Sequence, residues 1–346
     1  MEIRLGVVGC GYGKSVIVPA SRADARCRVT AIAAGSLNSA RLAASELGIA
    51  RAYEDWRSLV ADSSVDAIAV ATPPHIQPEI IQGSLQAKKP VFAEKPLAVE
   101  VRDALLLAEL AASSGLPNMV DFNFTSVTAF ARARSMLQEG AIGDLRHVVV
   151  NWQIENYTNR ARIDNWKSSS SQGGGTLSNF VSHSVHYLEW FVGPIARLYA
   201  HLFHLPNDPR SGDSTVSVIV EFRGGPAGML TMSAAAYPGS GHKIEFYGED
   251  GSLILENPSK DYMRGFRLVY SHRRDTETKV LTASDPEDDE SKDGRILPVS
   301  RLMRRFFDWI ERGKPALPDF RDGLRVQKLI AAARTSHQDG RWVEIP

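Results

Sequence analysis

The chain has 346 residues, and its 40 lysines and arginines balance its 40 aspartates and glutamates. A balanced charge does not favour nucleic acid or an anionic membrane as a partner, and at roughly 100–200 residues per domain the length predicts two domains. The two cysteines cannot build a disulfide framework or a cysteine metal cluster, and no run reaches the roughly 20 apolar residues of a membrane span. The first residues show no signal-peptide pattern, so we expect a cytoplasmic protein.

Short apolar runs separated by helical stretches fill the first third of the chain. Bounded by glycine, proline or charged residues, they are typical of buried strands in a parallel sheet. The predicted strands cover residues 3–9, 29–35, 66–73, 90–94 and 118–122. One predicted helix begins with Asn38 as its cap and ends at Gly48, and another covers residues 99–113 and ends at Gly115. This alternation predicts a doubly wound, parallel α/β sheet.

The middle of the chain has a different period. In residues 148–154 apolar side chains alternate along the chain, which is typical of a strand with one buried face. Similar patterns predict strands at residues 196–205, 216–222, 228–236, 243–248, 252–255 and 266–271. We therefore expect an α+β domain with a large, mostly antiparallel open sheet. One face would be covered by the chain's own helices and the other by water or a partner subunit.

A glycine-rich turn at residues 9–14 follows the first predicted strand. Gly9 permits the tight turn, and Gly11 lets the backbone approach a pyrophosphate that the following helix N-terminus would bind. The third small residue is Gly13, and Lys14 takes the next position, where it either reaches a phosphate or is exposed. We assign Gly9, Gly11, Tyr12, Gly13 and Lys14 to a Rossmann dinucleotide site.

The end of the second predicted strand bears on the choice between NAD and NADP. An acidic residue there would bind the ribose hydroxyls of NAD, but this chain has Ala34-Gly35-Ser36. Ser36 and Arg41 can accept a 2′-phosphate instead, which favours NADP. The alternative is that Ser36 is a turn residue, Arg41 is a solvated helix position, and NAD binds.

The predicted domain boundary lies where the parallel pattern stops. We expect a Rossmann dinucleotide-binding domain over residues 1–122 and an α+β substrate and oligomerisation domain over residues 123–346. Two helices at residues 299–313 and 320–337 and a last strand at 342–345 end the chain. We expect this C-terminal part, about residues 299–346, to pack back on the first domain. Residues 284–294 are acidic and polar and predict a surface loop.

Several further motifs resemble one enzyme family. They are Ala71-Thr72-Pro73-Pro74, Ala93-Glu94-Lys95-Pro96-Leu97, Trp166-Lys167 and Gly173-Gly174-Gly175, followed by Asn179, His183 and Gly193-Pro194. Together with the glycine turn, they resemble the glucose–fructose oxidoreductase / inositol dehydrogenase family (Gfo/Idh/MocA) over nearly the whole chain. The resemblance implies a Rossmann domain, a sheet domain whose open face often forms dimers, and a bound NAD(P).

The resemblance also implies which residues carry the chemistry. Those near the nicotinamide and its ribose would be Thr72, Pro73, Pro74, Glu94, Lys95 and Pro96. Lys95 would lie between cofactor and substrate, where its ammonium can hydrogen-bond the reacting oxygen and exchange a proton with it. His183 matches the family's catalytic histidine, and imidazole suits proton exchange with a hydroxyl. We predict both as catalytic, against a structural ion pair for Lys95 and a core position for His183.

Two positions depart from the family's pattern. Asn179 stands where the family commonly has aspartate, and an amide can orient an imidazole or a sugar hydroxyl but cannot take a proton. His186 stands where the family often has an acid. Because His183 and His186 lack a third ligand, we expect no metal. We assign Asn179 and His186 to substrate contact, with packing as the alternative for His186.

The segment over residues 156–172 carries aromatic and cationic side chains that suit a sugar, a carboxylate or a phosphate. Trp166 and Lys167 match a family substrate loop, whereas Arg160 and Arg162 fit a plain surface position equally well. If the arginines bind, a charged substrate is favoured. The predicted substrate-binding residues of this kind are Tyr157, Arg162, Trp166 and Lys167, with Asn123 from the domain junction.

The main functional prediction is hydride transfer between NAD(P) and a carbinol or carbonyl carbon of a sugar, sugar derivative or cyclitol, with NADP preferred. One alternative is redox-neutral epimerisation, elimination or glycoside cleavage with tightly bound NAD(P), as in some relatives. Another is a non-catalytic NAD(P)-binding sensor. We expect a homodimer or homotetramer through the sheet face, and no nucleic-acid or membrane partner.

Overall fold

The computed structural model describes residues 1–281 and 285–346. It divides into a first unit, Met1–Asn123 with Asp289–Gln327, and a second unit, Phe124–Asp288 with Lys328–Pro346. The predicted surface loop at residues 284–294 begins at residue 284, which lies outside the described residues. Within the described ranges, none of the helices combines the length and apolar character that crossing a membrane requires.

Six strands in the described part of the first unit form one parallel sheet. They are β1 (Ile3–Val8), β2 (Cys27–Ala33), β3 (Arg51–Tyr53), β4 (Ala67–Val70), β5 (Val91–Ala93) and β6 (Asn118–Val120). Their order is β3-β2-β1-β4-β5-β6, and every neighbouring pair is parallel. The reversal between β1 and β4 gives the predicted doubly wound topology. Strand β3 was not predicted, because Arg51–Tyr53 is short and only half-buried.

Helices flank this sheet where the chain crosses from strand to strand. A π-helical turn (Gly13–Ile17) runs into α1 (Val18–Arg22), followed by α2 (Leu37–Leu47), α3 (Trp56–Ala61), α4 (Gln77–Gln86) and α5 (Val101–Ser114). The predicted cap of α2 is wrong. Ser36, not Asn38, is the cap, because its Oγ accepts the Ser39 N–H at 3.2 Å. Gly48 ends α2 in the left-handed region, as predicted.

Helix α9 (Ile296–Arg312) belongs to the first unit although it comes late in the chain. Its buried residues recur at helical spacing and include Val299, Met303 and Phe306, so one face of the helix enters the core of this unit. The Phe306 ring lies 5.9 Å from that of Phe92 in β5. Helix α10 (Phe320–Asp339) begins in the first unit and ends in the second.

The second unit is built on a nine-stranded sheet, counted over the residues that the structure describes. Its strands are β7 (Leu145–Gln153), β8 (Ile195–Phe203), β9 (Thr215–Phe222), β10 (Ala227–Ser233), β11 (Gly241–Gly248), β12 (Gly251–Asn257), β13 (Arg267–His272), β14 (Lys279–Val280) and β15 (Val343–Glu344). The order is β14-β13-β12-β11-β7-β10-β9-β8-β15, and only β7 and β10 pair in parallel among these strands. The predicted mostly antiparallel sheet is confirmed.

One face of the second sheet carries an aromatic core. Helices α6 (Thr128–Gln138) and α8 (Ser182–Val192) supply Phe130 and Tyr187 to it, and β7 supplies Trp152. The Trp152 ring stacks on His242 at 4.1 Å, and the Tyr187 hydroxyl lies 2.9 Å from His242 Nε2. The opposite face leaves large apolar side chains of β9 and β10 exposed, as the alternating pattern predicts.

Candidate active site

The glycine turn of the first unit is set by a close backbone approach. Gly9 has a φ of +114°, and a Cβ there would lie 2.2 Å from the Ala71 carbonyl oxygen. Any side chain at this position is therefore excluded. A Cβ at Gly11 would meet no atom within 4 Å, so the space above the turn is open on the protein side. Gly13 packs closely on Val7, with 3.0 Å from the ideal Cβ to Val7 Cγ1.

The charged residues predicted near the phosphates lie on or beside α2. Lys14 forms an exposed ion pair with Glu46, with 2.7 Å between Nζ and Oε2. Arg41 is exposed, and no carboxylate of the described chain lies within ion-pair distance of it. Ser36 caps α2 and hydrogen-bonds the Ser39 hydroxyl at 2.9 Å. The guanidinium of Arg41 is thus open to a ligand, whereas Lys14 already has a partner.

The ends of β4 and β5 carry the two motifs predicted to surround a nicotinamide. The Thr72 hydroxyl is buried and has no hydrogen-bond partner among the described residues. Pro73 accepts the first N–H groups of the α4 region, from Ile76 and Gln77. The peptide bond between Lys95 and Pro96 is cis. These motifs therefore leave one buried polar atom that a bound group can satisfy.

Gln77 holds the Lys95 segment in place and was not predicted. Its side chain is fully buried, and Nε2 donates to the carbonyl oxygens of Glu94 at 2.7 Å, Pro96 at 3.0 Å and Leu97 at 3.3 Å. A buried amide that bridges three carbonyls fixes the backbone on both sides of Lys95. The sequence signal was a polar residue in the first turn of an otherwise amphipathic helix.

An acidic pair, the half-buried Glu94 and the fully buried Asp121, lies beside Lys95. Asp121 follows β6, is 0% exposed and accepts a hydrogen bond from the Tyr12 hydroxyl at 3.0 Å. Asn123 donates to the same hydroxyl at 3.4 Å. Burial, reinforced by the neighbouring Glu94 carboxyl, raises the pKa of Asp121 well above its usual range. Burial also raises the pKa of Glu94, so this pair differs from ordinary surface carboxylates.

In the second unit, the triple glycine packs tightly. A Cβ at Gly174 would lie 2.2 Å from the Trp166 carbonyl oxygen, and one at Gly175 would lie 2.3 Å from Asp213 Oδ1. Asp213 is buried, and its Oδ2 accepts the Leu177 N–H at 2.7 Å. Close packing against the Trp166 backbone and the Asp213 side chain therefore requires glycine at Gly174 and Gly175.

The predicted substrate segment is anchored by Arg210, which the sequence reasoning missed. Arg210 pairs with Asp208 at 2.6 Å, and the two side chains are 7% and 6% exposed. The same guanidinium donates to the carbonyl oxygens of Thr158 at 2.8 Å and Ile163 at 3.0 Å. The guanidinium hydrogen bond holds the pKa of Asp208 at about 2. The Asp-x-Arg spacing was the available signal, because it permits a local bidentate pair.

The predicted sugar-contacting side chains of this segment are exposed or half-buried. Tyr157 is 65% exposed, with the Arg160 guanidinium 5.6 Å from its ring. Lys167 lies over the half-buried Trp166 ring at 5.7 Å. Arg162 is exposed and has a φ of +49°. The segment thus presents aromatic faces and cations above an anchored backbone.

The predicted catalytic helix of the second unit begins after a π-helical turn (Leu177–Val181). Asn179 donates from Nδ2 to the Gly175 carbonyl at 2.9 Å, so the amide that replaces the family's aspartate braces the glycine loop. His183 in α8 is 7% exposed, with its ring edge-on to Phe124 at 5.1 Å. Burial lowers the pKa of His186 to about 3, so His186 is neutral at physiological pH.

The comparison with known proteins identifies the family. The model described as "Oxidoreductase family, NAD-binding Rossmann fold" matches residues 3–122, and the one described as "Oxidoreductase family, C-terminal alpha/beta domain" matches residues 134–345. The chain belongs to this oxidoreductase family. Both models are those of the Gfo/Idh/MocA group, so the resemblance read from the motifs is confirmed. The prediction of a nicotinamide-dependent oxidoreductase enzyme is also confirmed.

The sequence similarity between the oxidoreductase and its relatives covers all or most of the chain. An uncharacterized oxidoreductase of Synechocystis is 29% identical over 359 residues, covering 100% of this chain and 96% of that protein. A levoglucosan dehydrogenase of Pseudarthrobacter phenanthrenivorans is 23% identical and covers 88% and 86% of the two chains. The solved structure of levoglucosan dehydrogenase in complex with NADH and levoglucosan is 21% identical, with a TM-score of 0.90 over 100% of both chains, which shows the shared fold.

The first unit of the oxidoreductase fits a dinucleotide. Gly9 closes the turn, and the open space at Gly11 matches the close approach of a pyrophosphate to the backbone. The buried Thr72 hydroxyl has no hydrogen-bond partner among the described residues, and a polar group of the dinucleotide can supply one. Over the described residues, by contrast, no group of three or more histidine, cysteine, aspartate or glutamate side chains could hold a metal ion.

Proposed function

We propose that this oxidoreductase transfers hydride between a nicotinamide and a carbinol or carbonyl carbon of a sugar, sugar derivative or cyclitol. The observation that carries the proposal is the fixed position of the Lys95 segment, whose backbone carbonyls accept three hydrogen bonds from Gln77. The segment follows β5, and the neighbouring strand β4 is followed by Thr72, whose buried hydroxyl has no hydrogen-bond partner in the described residues. An amine carried on a fixed backbone at this edge of a Rossmann sheet suits proton exchange with an alcohol. Relatives that act on levoglucosan support a sugar-like substrate.

The proposed cofactor residues lie in the glycine turn, at the start of α2 and at the ends of β4 and β5. They are Gly9, Gly11, Tyr12, Gly13, Lys14, Ser36, Arg41, Thr72, Pro73, Pro74, Glu94, Lys95 and Pro96. We propose NADP as the preferred cofactor, because Arg41 has no ion-pair partner in the described part of the chain and β2 lacks a terminal acid. NAD is the alternative, supported by the NADH bound in the levoglucosan dehydrogenase structure.

In the proposed reaction the bound nicotinamide supplies the hydride chemistry. The chain's own task is to move the hydroxyl proton and stabilise charge on the reacting oxygen. We assign proton exchange to Lys95 of the first unit and His183 of the second. His186 stays neutral over the physiological range, so it can contact the substrate but does not provide charge.

We propose that residues 156–172 bind the substrate. Arg210 anchors the backbone of this segment at Thr158 and Ile163, while Tyr157 and Trp166 offer aromatic faces to a sugar ring. Lys167 and Arg162 add exposed positive charge, which favours a substrate that carries a carboxylate or phosphate. Asn179, His186 and Asn123 complete the proposed substrate set.

The test of this proposal separates chemistry from binding. Lys95→Met is expected to remove most turnover while dinucleotide affinity, measured by calorimetry, stays near that of the parent. Lys88→Met is the matched control, since Lys88 is exposed and should change neither quantity. Equal loss of turnover and affinity in Lys95→Met would show that Lys95 is structural. Binding without turnover on any sugar, sugar acid or cyclitol would instead support the sensor alternative.

We also propose that a second copy of the chain covers the open face of the sheet. Ile219 pairs with Tyr199 on one side and Met229 on the other, and Met229 pairs with Val149. This apolar row crosses four strands, with Ile219 43% and Met229 53% exposed. Met229→Glu is expected to give a smaller species by light scattering, whereas Leu42→Glu on α2 should not. A monomeric parent would refute the proposal.

A further inference from the structure

Two carboxyl groups meet at the ends of neighbouring parallel strands of the first unit. Ala93 of β5 and Val120 of β6 are register partners, and the residues that follow them are Glu94 and Asp121. The Asp121 N–H donates to the Ala93 carbonyl at 2.9 Å, which continues the ladder to this level. The two side chains consequently leave the sheet side by side and lie within hydrogen-bonding range of each other.

The surroundings of Asp121 satisfy one of its oxygens and not the other. Oδ2 accepts the Tyr12 hydroxyl at 3.0 Å. Oδ1 is buried and receives no donor from the residues that the structure describes. A buried carboxylate oxygen without a donor is costly, and the Glu94 carboxyl lies within hydrogen-bonding range of the Asp121 carboxyl. A proton held between the two carboxyls satisfies both.

The charged groups around the pair are few. Lys95 follows Glu94 directly, its backbone N–H donates to Glu94 Oε2 at 3.2 Å, and its positive charge acts on both carboxyls. Arg295, just before α9, acts on Glu94, and Tyr12 of the glycine turn contributes its hydroxyl. Two full negative charges in this buried place would repel one another, whereas one matches the adjacent ammonium.

We propose that Glu94 and Asp121 share one proton and act as a single negative charge that positions and tunes the amine of Lys95. This inference rests on the proposed function, in which Lys95 exchanges a proton with the substrate. Glu94 and Asp121 are positioning residues here, since they act through Lys95. The raised pKa of both carboxyls, caused first by burial, agrees with a retained proton.

Sharing of one proton makes an unusual prediction for charge. Asp121→Asn replaces a pair that carries one negative charge by an ionised glutamate next to an amide, so the charge felt by Lys95 is unchanged. Glu94→Gln together with Asp121→Asn removes that charge. The rising limb of the pH–rate profile for alcohol oxidation reports deprotonation of the base. This rising limb should stay at the same pH in the single variant. In the double variant it should move to lower pH by about one pH unit, because loss of the negative charge lowers the pKa of the Lys95 amine.

Infrared spectroscopy and pH-dependent unfolding test the shared proton without any substrate. At neutral pH the parent should show a carbonyl stretch of a protonated carboxyl that is absent from the spectrum of Asp121→Asn; this difference separates the pair from Asp213, whose pKa burial also raises. The folded parent retains a proton that the unfolded chain loses near the ordinary carboxyl pKa of about 4, so its stability should fall as pH rises above that value. Asp121→Asn should flatten that dependence. Tyr12→Phe removes the hydroxyl that donates to Asp121 Oδ2 but leaves both carboxyls, so it should keep the carboxyl signal.

The outcomes separate this inference from the proposed function. Identical carboxyl signals in the parent and in Asp121→Asn would overturn the shared proton, whatever the enzyme turns over. A single variant that moves the rising limb as far as the double variant would also overturn it, since Asp121 would then carry a charge of its own. A double variant with an unmoved limb would show that the pair does not tune Lys95. If no substrate is found, the infrared and unfolding results still decide whether the proton is shared.

Discussion

Replacement of Arg210 by methionine tests whether one buried guanidinium anchors the proposed substrate segment. Arg210 makes two bonds to Asp208, at 2.9 and 2.6 Å, and two to the carbonyls of Thr158 and Ile163. The Arg210 and Asp208 side chains are 7% and 6% exposed. Loss of one partner of such a buried pair costs about 3–5 kcal/mol. Because these bonds join two surface segments, the loss should appear mainly as local opening of residues 157–168.

Hydrogen exchange of the backbone amides, followed by mass spectrometry, measures this effect. The segment over residues 157–168 should exchange about 100-fold faster or more in Arg210→Met, as expected for a loss of roughly 3 kcal/mol. The sheet core should keep its protection. Arg160→Met is the control in the same segment, because Arg160 is exposed and its guanidinium lies over the Tyr157 ring. Its effect should stay below about 1 kcal/mol.

The acid dependence adds a second check on the same pair. The pKa of Asp208 is lowered from 3.8 to about 2, first by the hydrogen bond to Arg210. The stabilisation is therefore complete at pH values above 3.8, the pKa of Asp208 in the unfolded chain, and is lost as pH falls through about 2. The difference between parent and Arg210→Met should shrink as pH is lowered from about 4 to about 2. Equal exchange in Arg210→Met and Arg160→Met at neutral pH would refute the anchor.

The remaining predictions concern the glycine turn, the choice of cofactor and His186 of α8. Gly9→Ala should fold poorly, because its Cβ would lie 2.2 Å from a carbonyl oxygen. Gly11→Ala has room for its Cβ, so it should keep the parent's melting temperature but lose dinucleotide affinity in calorimetry. The reverse pattern would contradict a dinucleotide site at this turn. Arg41→Ala should lower the affinity for NADP⁺ about tenfold more than the affinity for NAD⁺, as expected for one lost charge-assisted hydrogen bond to a phosphate. An equal loss of both affinities would argue against a 2′-phosphate contact. The pKa of His186 is lowered to about 3 by burial, so folding opposes its protonation and stability should fall between pH 6.5 and about 3. His186→Gln should lose less stability than the parent on acidification in thermal melts, and an unchanged acid sensitivity would contradict this.

The fold could be predicted from the sequence because its elements have clear periods. Buried parallel strands such as β1 are short apolar runs, and the strands of the second sheet alternate with period two. Strand β3 has neither signal, since it is three half-buried residues that pair only with β2. The cap of α2 was misplaced by two residues, because Ser36 and Asn38 are both good cap residues and only the backbone angles choose between them.

The parts of the candidate site that consist of local sequence motifs could be predicted. The parts that depend on contacts between residues far apart in the sequence could not. The glycine turn and the Lys95 segment are local patterns, and each was placed at a strand end as expected. Gln77 and Arg210 act on backbone carbonyls of other segments, and a carbonyl acceptor leaves no trace in a sequence. The contact between Glu94 and Asp121 depends on the register of β5 and β6, which the sequence does not specify.

Transfer of a deuterium label tests the central claim most directly. The purified oxidoreductase would be incubated with NADP⁺ or NAD⁺ and a panel of sugars, sugar acids and cyclitols deuterated at their carbinol carbons, and the nicotinamide analysed by mass spectrometry. Hydride transfer predicts deuterium in the reduced nicotinamide with at least one substrate in the parent and in Lys88→Met, and its near absence in Lys95→Met. Product formation with no label ever reaching the nicotinamide would contradict the account.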